Sequence, residues 1–372
     1  MKQKSKRCIF HFEWHRHFMH AEEWKSSIDS FSDSDKPITC LLHCRPTNAL
    51  VTMGVVGDAC TGQHSGYRTI WRLLRTRYGI RISREVVRQY LHFRDPTAVA
   101  NRRARRLHRR TYYCRGPNDQ WHFDGYDKLK KYGIAVSGCV DGYSRRVIWL
   151  RCSSSNNDPR VIGCYYLDAV QELHVCPRGL RSDRGSENCI TAAIHCCLTH
   201  NASGHAFVAS TSNQRIESFW GNLRRLRVQW WIDLFEDMIS CGLVDLSIMN
   251  HIECVRYCFM NVVQNDLNNF VSFWNCHRIR HSPGAGCPAG IPDELYFLPA
   301  DGTHDCGVLV LPDAASVYNI HITQPTVCAS DTVQEYLDYL RHFYSLEMPV
   351  IWQEAVALLI RLISHMWRSI IH

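Results

Sequence analysis

Three acidic residues carry the chemical possibilities of this 372-residue chain: Asp124 in WHFDGY, Asp183 in LRSDRGSEN and Glu217 in STSNQRIESFWGNLR. Three carboxylates brought together repel one another and need cations between them, and hard oxygen ligands of this kind suit Mg2+ or Mn2+. Two such ions about 4 Å apart can activate an attacking oxygen and stabilise the leaving one in a phosphodiester displacement. Any one of these acids alone is better accounted for as a cap or a surface charge, so the chemistry depends on whether the fold gathers them. The neighbouring acids Asp141 and Glu187 are assigned structural roles, the first in a hairpin turn and the second beside the Asp183 loop.

The elements that must position these acids alternate between strand and helix, the mark of an α/β domain. Gln120 to Tyr126, Gly133 to Val140 and Arg145 to Cys152 have the pattern of three short strands joined by turns. In the first, Trp121 and Phe123 point to one face and His122, Asp124 and Tyr126 to the other. Asp158-Pro159 caps and starts a helix, Gly179 to Asp183 reads as a fourth strand, and Ser186 to Leu198 as a second helix. Ala206 to Ala209 is a candidate fifth strand, and a long helix with Ser212 as cap is expected from Asn213 to about Phe235. Asp183 therefore ends a strand beside a Gly-containing loop, where open α/β sheets build sites. Three antiparallel strands followed by alternating helices and strands describe a ribonuclease H-like mixed sheet flanked by helices.

Ahead of the sheet, Ile70, Leu73 and Leu74 give one helical face, Gly79 ends that helix, and Ser83 can cap a second with Val86, Val87, Tyr90 and Leu91 on its apolar side. Two short helices joined by a glycine turn read as a helix-turn-helix over residues 65–95, although an ordinary helical hairpin has the same pattern. Arg84 and Arg88 on the second helix suit groove and phosphate contacts. A basic connector follows at 96–116, with Arg102, Arg103, Arg105, Arg106, Arg109 and Arg110 and no acid between them. Such a run is a solvated linker or a polyanion-binding arm, and its position between a DNA-binding candidate and the next domain favours the arm.

The remaining boundaries are a poorly structured region at 1–60, a catalytic core at 117–243, a helical extension at 244–300 and a C-terminal helical tail at 301–372. The net charge of +8, from 43 Lys plus Arg against 35 Asp plus Glu, suits a polyanionic partner. No lysine occurs after Lys131, so every later cation is an arginine, whose planar fork suits phosphate, or a protonated histidine. The 19 cysteines are odd in number, scattered and below the density of a disulfide scaffold, and they include no C-x-x-C pair. His and Glu interrupt the N-terminal stretch where a signal peptide would need an apolar core, and no uncharged apolar run is long enough to span a membrane. An intracellular protein with no membrane partner is expected.

In that order, WHFDGYDKLKKYGIAVSGCVDGYSRRVIWL, LRSDRGSENCI and STSNQRIESFWGNLR resemble the retroviral integrase core and the related DDE transposases, and most nearly the integrase-core proteins of animal genomes that look derived from mobile elements. The resemblance runs from about Ser65 to Pro299. It implies that Asp124, Asp183 and Glu217 are the metal-binding catalytic triad, holding two Mg2+ or Mn2+ ions for DNA strand transfer or end processing. It also implies DNA as partner, a homo-oligomer and a nuclear location. Arg224 lies seven residues beyond Glu217 on the same helix face and Gln214 lies in that helix's first turn, positions similar to those that contact the DNA end in the family. Arg225 and Arg227 are expected at the solvated or DNA-facing margin, and Trp220, Trp230 and Trp231 in the core. The stretch from Cys189 to Val208 is shorter than in the animal relatives. Retroviral integrases also carry a His/Cys zinc module, but here His11-x3-His15 precedes Cys40-x3-Cys44, not the C-x-x-C of a zinc knuckle, so no N-terminal zinc site is expected. Two rival readings share the motifs: a recruited DNA-binding protein that keeps the fold without its chemistry, and a ribonuclease acting on hybrids.

Overall fold

The computed structural model describes residues 66–371 apart from 77–78, 81, 95, 98, 100–111, 209–212, 282–285 and 301. The basic run from Arg102 to Arg110, the residues His11, His15, Cys40 and Cys44, and Ser212 lie outside the described residues. The chain divides into two units, Met1–Leu107 and His108–His372.

In the first unit, α1 (Tyr67–Thr76) buries the expected Ile70, Leu73 and Leu74. Gly79, at φ 66°, takes the left-handed conformation that only glycine adopts freely, and the Ile80 amide bonds back to the Leu74 carbonyl at 2.8 Å. Ser83 caps α2 (Arg84–Arg94) by accepting from the Val86 amide at 3.3 Å, and Val87 is buried beneath it. Trp71 fixes the pair by donating its indole N–H to the Ile82 carbonyl at 2.7 Å.

The second unit is built on a five-stranded mixed sheet in the order β3-β2-β1-β5-β6. Its strands are β1 (Gln120–Tyr126), β2 (Ala135–Asp141), β3 (Val147–Ser153), β5 (Gly179–Ser182) and β6 (His205–Phe207), while β4 (Val175–Cys176) lies outside this sheet. The first three pair antiparallel, and β5 joins β1 and β6 joins β5 in parallel. This is the ribonuclease H-like mixed sheet that the strand pattern predicts, with the fifth strand in place despite the short Cys189–Val208 segment.

Side-chain alternation on β1 divides the interior in two. Trp121 and Phe123 enter a cluster with Val161, Ile162, Tyr166 and Val170 of α3 (Pro159–Leu173) and Ile194 of α4 (Cys189–Leu198). Tyr126, on the opposite face, joins a larger cluster with α5 (Gln214–Leu223), α6 (Gln229–Ser240) and α7 (Met249–Asn275). Asp158 accepts from the Arg160 amide at 2.9 Å, the N-cap expected ahead of Pro159. Gly133, at φ 89°, closes a 3-10 turn, so β2 starts two residues later than the pattern predicts.

Beyond the sheet, α8 (Pro292–Phe297), β7 (Val308–Leu309), α9 (Pro312–Ser316), α10 (Asp331–Phe343) and α11 (Trp352–Ile371) complete the order. β7 pairs antiparallel with β4, a small ladder the pattern does not reveal because two-residue strands have no period to read. Leu337 and Leu340 of α10 and Leu359 and Leu362 of α11 belong to the same cluster as α7, so the C-terminal helices extend the core. Among the described residues, no helix is long and apolar enough to cross a membrane.

One expected element is corrected. The helix after Asn213 is not a single α-helix to Phe235: a π turn at Arg224–Val228 separates α5 from α6, which runs on to Ser240. The wider i→i+5 turn rotates every later residue relative to an α-helical count. Arg227, expected at the solvated margin, is buried at 3% exposure and lies 3.9 Å from Asp266.

Candidate active site

The register of the two central strands sets the acids side by side. His122 pairs with Arg181 across β1 and β5, so continuing that register by two residues puts Asp124 opposite Asp183 on the same face of the sheet. On its other side Asp124 is opposite Gly138 of β2. A Cβ at Gly138 would lie 2.6 Å from the Trp220 ring, so glycine there is what lets α5 approach the sheet. Trp220 uses that approach to donate its indole N–H to Asp124 Oδ2 at 3.1 Å and to pack on Tyr126 with ring centroids 5.0 Å apart. Glu217 precedes Trp220 by three residues, hence on a neighbouring part of the same helix surface.

A second anchor holds the start of α5. Asn213, buried, donates to the Phe123 carbonyl at 3.1 Å, which turns its Oδ1 towards His122. His122 Nδ1 donates to that oxygen at 2.7 Å, leaving Nε2 to accept from the Tyr112 hydroxyl at 2.7 Å. This network needs the neutral imidazole, and burial depresses the His122 pKa to about 3. The sequence places His122 on the face of Asp124 but gives no sign that it holds the helix of Glu217. Its partner Asn213 lies 91 positions away, a separation no local pattern reports.

Asp183 follows β5 and is held by its own loop. Its Oδ1 accepts from the Gly185 amide at 3.2 Å and from the buried Asn188 side chain at 2.8 Å. Among the described residues no hydrogen bond is made to Oδ2. Ser182, pointing to the other face, donates to the Asp183 carbonyl at 2.9 Å.

The acids share one electrostatic field. Burial raises the Asp124 pKa to about 7, the Trp220 hydrogen bond opposes that rise, and the negative charges of Asp183 and Glu217 push it further up. A carboxyl in this state gains from a cation that neutralises its neighbours, and the donor set is the hard oxygen kind that Mg2+ and Mn2+ prefer. Among the described residues, no three His, Cys, Asp or Glu side chains already form a finished metal cage. Asp124 and Asp183 are thus neighbours by register, and all three acids share one field without forming a finished ligand cage.

The surrounding residues behave as follows. Asp141, assigned to the hairpin turn, is buried and accepts from the Ser144 amide and hydroxyl, both at 2.7 Å, and from the Asn118 amide at 2.9 Å. Glu187 folds back against Gly185. Arg224 is exposed at the far end of α5, donates to Gln229 at 3.2 Å, and its charge acts on Tyr126. Gln214 is the first residue of α5 and half-buried. Trp220 and Trp231 are buried and Trp230 packs against their cluster, as expected of core residues. In the other unit, Arg84 lies over the Trp71 ring at 4.3 Å and Arg88 forms an ion pair with Glu85.

Residues 111–291 match the family model described as integrase core domain. Among solved structures the chain is similar to the cryo-EM structure of a simian T-cell lymphotropic virus intasome in complex with the PP2A regulatory subunit B56 gamma. Identity is 17%, over 63% of this chain and 72% of that one, with a TM-score of 0.34. Comparison with curated proteins finds no match.

Proposed function

We propose, from the integrase core domain carried by residues 111–291, that this protein cleaves and joins DNA phosphodiesters with Asp124, Asp183 and Glu217 as its catalytic acids. The observation that carries this reading is the shared field of the three carboxylates: burial raises the Asp124 carboxyl to about 7, and the charges of Asp183 and Glu217 add to that rise. Proteins of this family are generally polynucleotidyl transferases.

Asp124, Asp183 and Glu217 would hold the divalent cations, Mg2+ or Mn2+. When bound, such ions supply activation of the attacking oxygen and charge neutralisation at the phosphorus. The chain's own residues set the geometry. Trp220 orients Asp124, the Gly185 amide and Asn188 orient Asp183, and the His122–Asn213 pair fixes the start of the helix that carries Glu217. Gln214 and Arg224 at the two ends of α5 would meet the DNA end. Arg84 and Arg88, in a helix-turn-helix that reads duplex DNA, and Arg102, Arg103, Arg105, Arg106, Arg109 and Arg110 of the connector would grip the remaining phosphates. Work on chromosomal DNA places the protein in the nucleus, and handling two DNA ends together calls for a homo-oligomer.

A second reading is favoured by the absence of a finished metal cage among the described residues: the protein binds DNA without chemistry. Asp183→Asn separates the two. The catalytic reading expects nicking and joining of duplex ends in Mn2+ by the wild type, lost in the variant at unchanged DNA affinity. DNA affinity with no product from either protein supports the second reading. Digestion of an RNA–DNA hybrid in preference to duplex DNA would overturn both.

A further inference from the structure

One residue level below the acids, the same sheet face carries positive charge with no acidic answer. Arg181 of β5 stands opposite His122 of β1 and points to the face of Asp183, two residues before it. Arg215, second residue of α5, lies over the Tyr112 ring with its guanidinium carbon 4.1 Å from the centroid. The Tyr112 hydroxyl bonds His122, so both guanidiniums border one buried Tyr112–His122 pair, and both charges act on both rings. Each guanidinium is half-buried, and the Nε of each is shielded from solvent without a hydrogen-bond partner. Among the described residues neither makes an ion pair.

The nearby groups do not supply the missing charge. Arg145 of the β2–β3 hairpin is anchored to the Ser144 and Pro288 carbonyls, and burial together with the Arg215 charge lowers its pKa to about 10. Asp141, the acid whose charge reaches Arg145, is buried and taken up by Ser144 and Asn118. His122 stays neutral. Two guanidiniums that border one partly dry site leave strong donors unused, which an anion bound there would take up.

We propose that Arg181 and Arg215 form an anion subsite that takes a backbone phosphate of the DNA strand beside the reacting one. The subsite lies about 7 Å along the strands from the acids, two residues of strand rise. That separation is of the order of one nucleotide step, so a strand whose phosphodiester meets Asp124 and Asp183 would lay its neighbouring phosphate on the arginines. The acids attract cations and the arginines exclude them, which fixes the direction in which the strand crosses the sheet. The assignment to DNA rests on the proposed function. The existence of an anion site does not.

The test uses the full chain and its Arg181→Gln, Arg215→Gln and double variants, in two arms without divalent metal. The first follows thermal unfolding with inorganic phosphate against chloride at equal ionic strength. The wild type should be stabilised by phosphate over chloride and the double variant should not. Equal stabilisation of both proteins, or of neither, overturns the subsite. The second arm measures the salt dependence of duplex DNA binding, where each lost phosphate contact lowers the log–log slope by about 1. A slope lower by about 1 in the double variant supports DNA as the source of the phosphate. An unchanged slope after a positive first arm leaves an anion site and overturns its assignment to DNA. No DNA binding by the wild type with a positive first arm overturns the proposed function and keeps the subsite.

Discussion

The arginines of the helical hairpin and those of the sheet differ in what already answers their charge. Arg84 rests on Trp71 and Arg88 on Glu85, both at the surface, where water and a local partner satisfy them. Arg181 and Arg215 are half-buried with no acidic partner among the described residues, and Arg227 is buried with Asp266 at 3.9 Å. A satisfied surface guanidinium gives DNA one counterion's worth of attraction and little else. A shielded one without a partner is a standing demand for an anion. Counting arginines along the sequence draws attention to the hairpin and connector, while burial shifts it to the sheet.

The sharpest way to break this comparison is to remove one arginine from each environment. Arg227→Ala should destabilise the fold by about 3 kcal/mol, because it removes a buried side chain and empties a packed site. Arg88→Ala should leave stability close to that of the wild type, since exposed ion pairs contribute little. Denaturant unfolding of the two variants checks this, and similar losses would mean that the two environments do not differ as described.

A smaller effect tests the anchor beneath the acids. The folded pKa of His122, about 3, lies below the ordinary 6.5, so its contribution to stability is present above about 6.5 and is lost as pH falls through 3. A His122→Gln variant should be less stable than the wild type at pH 7, and the gap should narrow steadily as pH falls from 6.5 to 4. Thermal melts across that range measure it. A gap independent of pH would mean that His122 is not the neutral, buried link between Tyr112 and Asn213.

Much of this arrangement is legible in the sequence. Alternation placed His122, Asp124 and Tyr126 on one face, Asp158-Pro159 marked a helix start, and the motif contexts singled out the three acids before any register was known. What was not legible has specific physical causes. The π turn at Arg224–Val228 adds no signature residue, and Arg227, expected at the margin, lies seven residues from Trp220 and is buried with it. The partners of Asp124 and His122, Trp220 and Asn213, are set by helix-on-sheet packing, with Gly138 as the concession that permits it. Arg181 sits in a short strand, where only its pairing with His122 reveals that it borders the same site.

Glu217 is the acid brought in by helix packing rather than by strand register, so it tests the central claim most directly. Cleavage and joining of labelled duplex ends in Mn2+ should be measured for the full chain beside Glu217→Gln, with DNA affinity followed in parallel. If Asp124, Asp183 and Glu217 act as one site, the wild type gives nicked and joined products and the variant loses about a thousandfold in rate at equal DNA affinity. Equal activity in the variant, or no product from the wild type over a range of end sequences, would contradict the account.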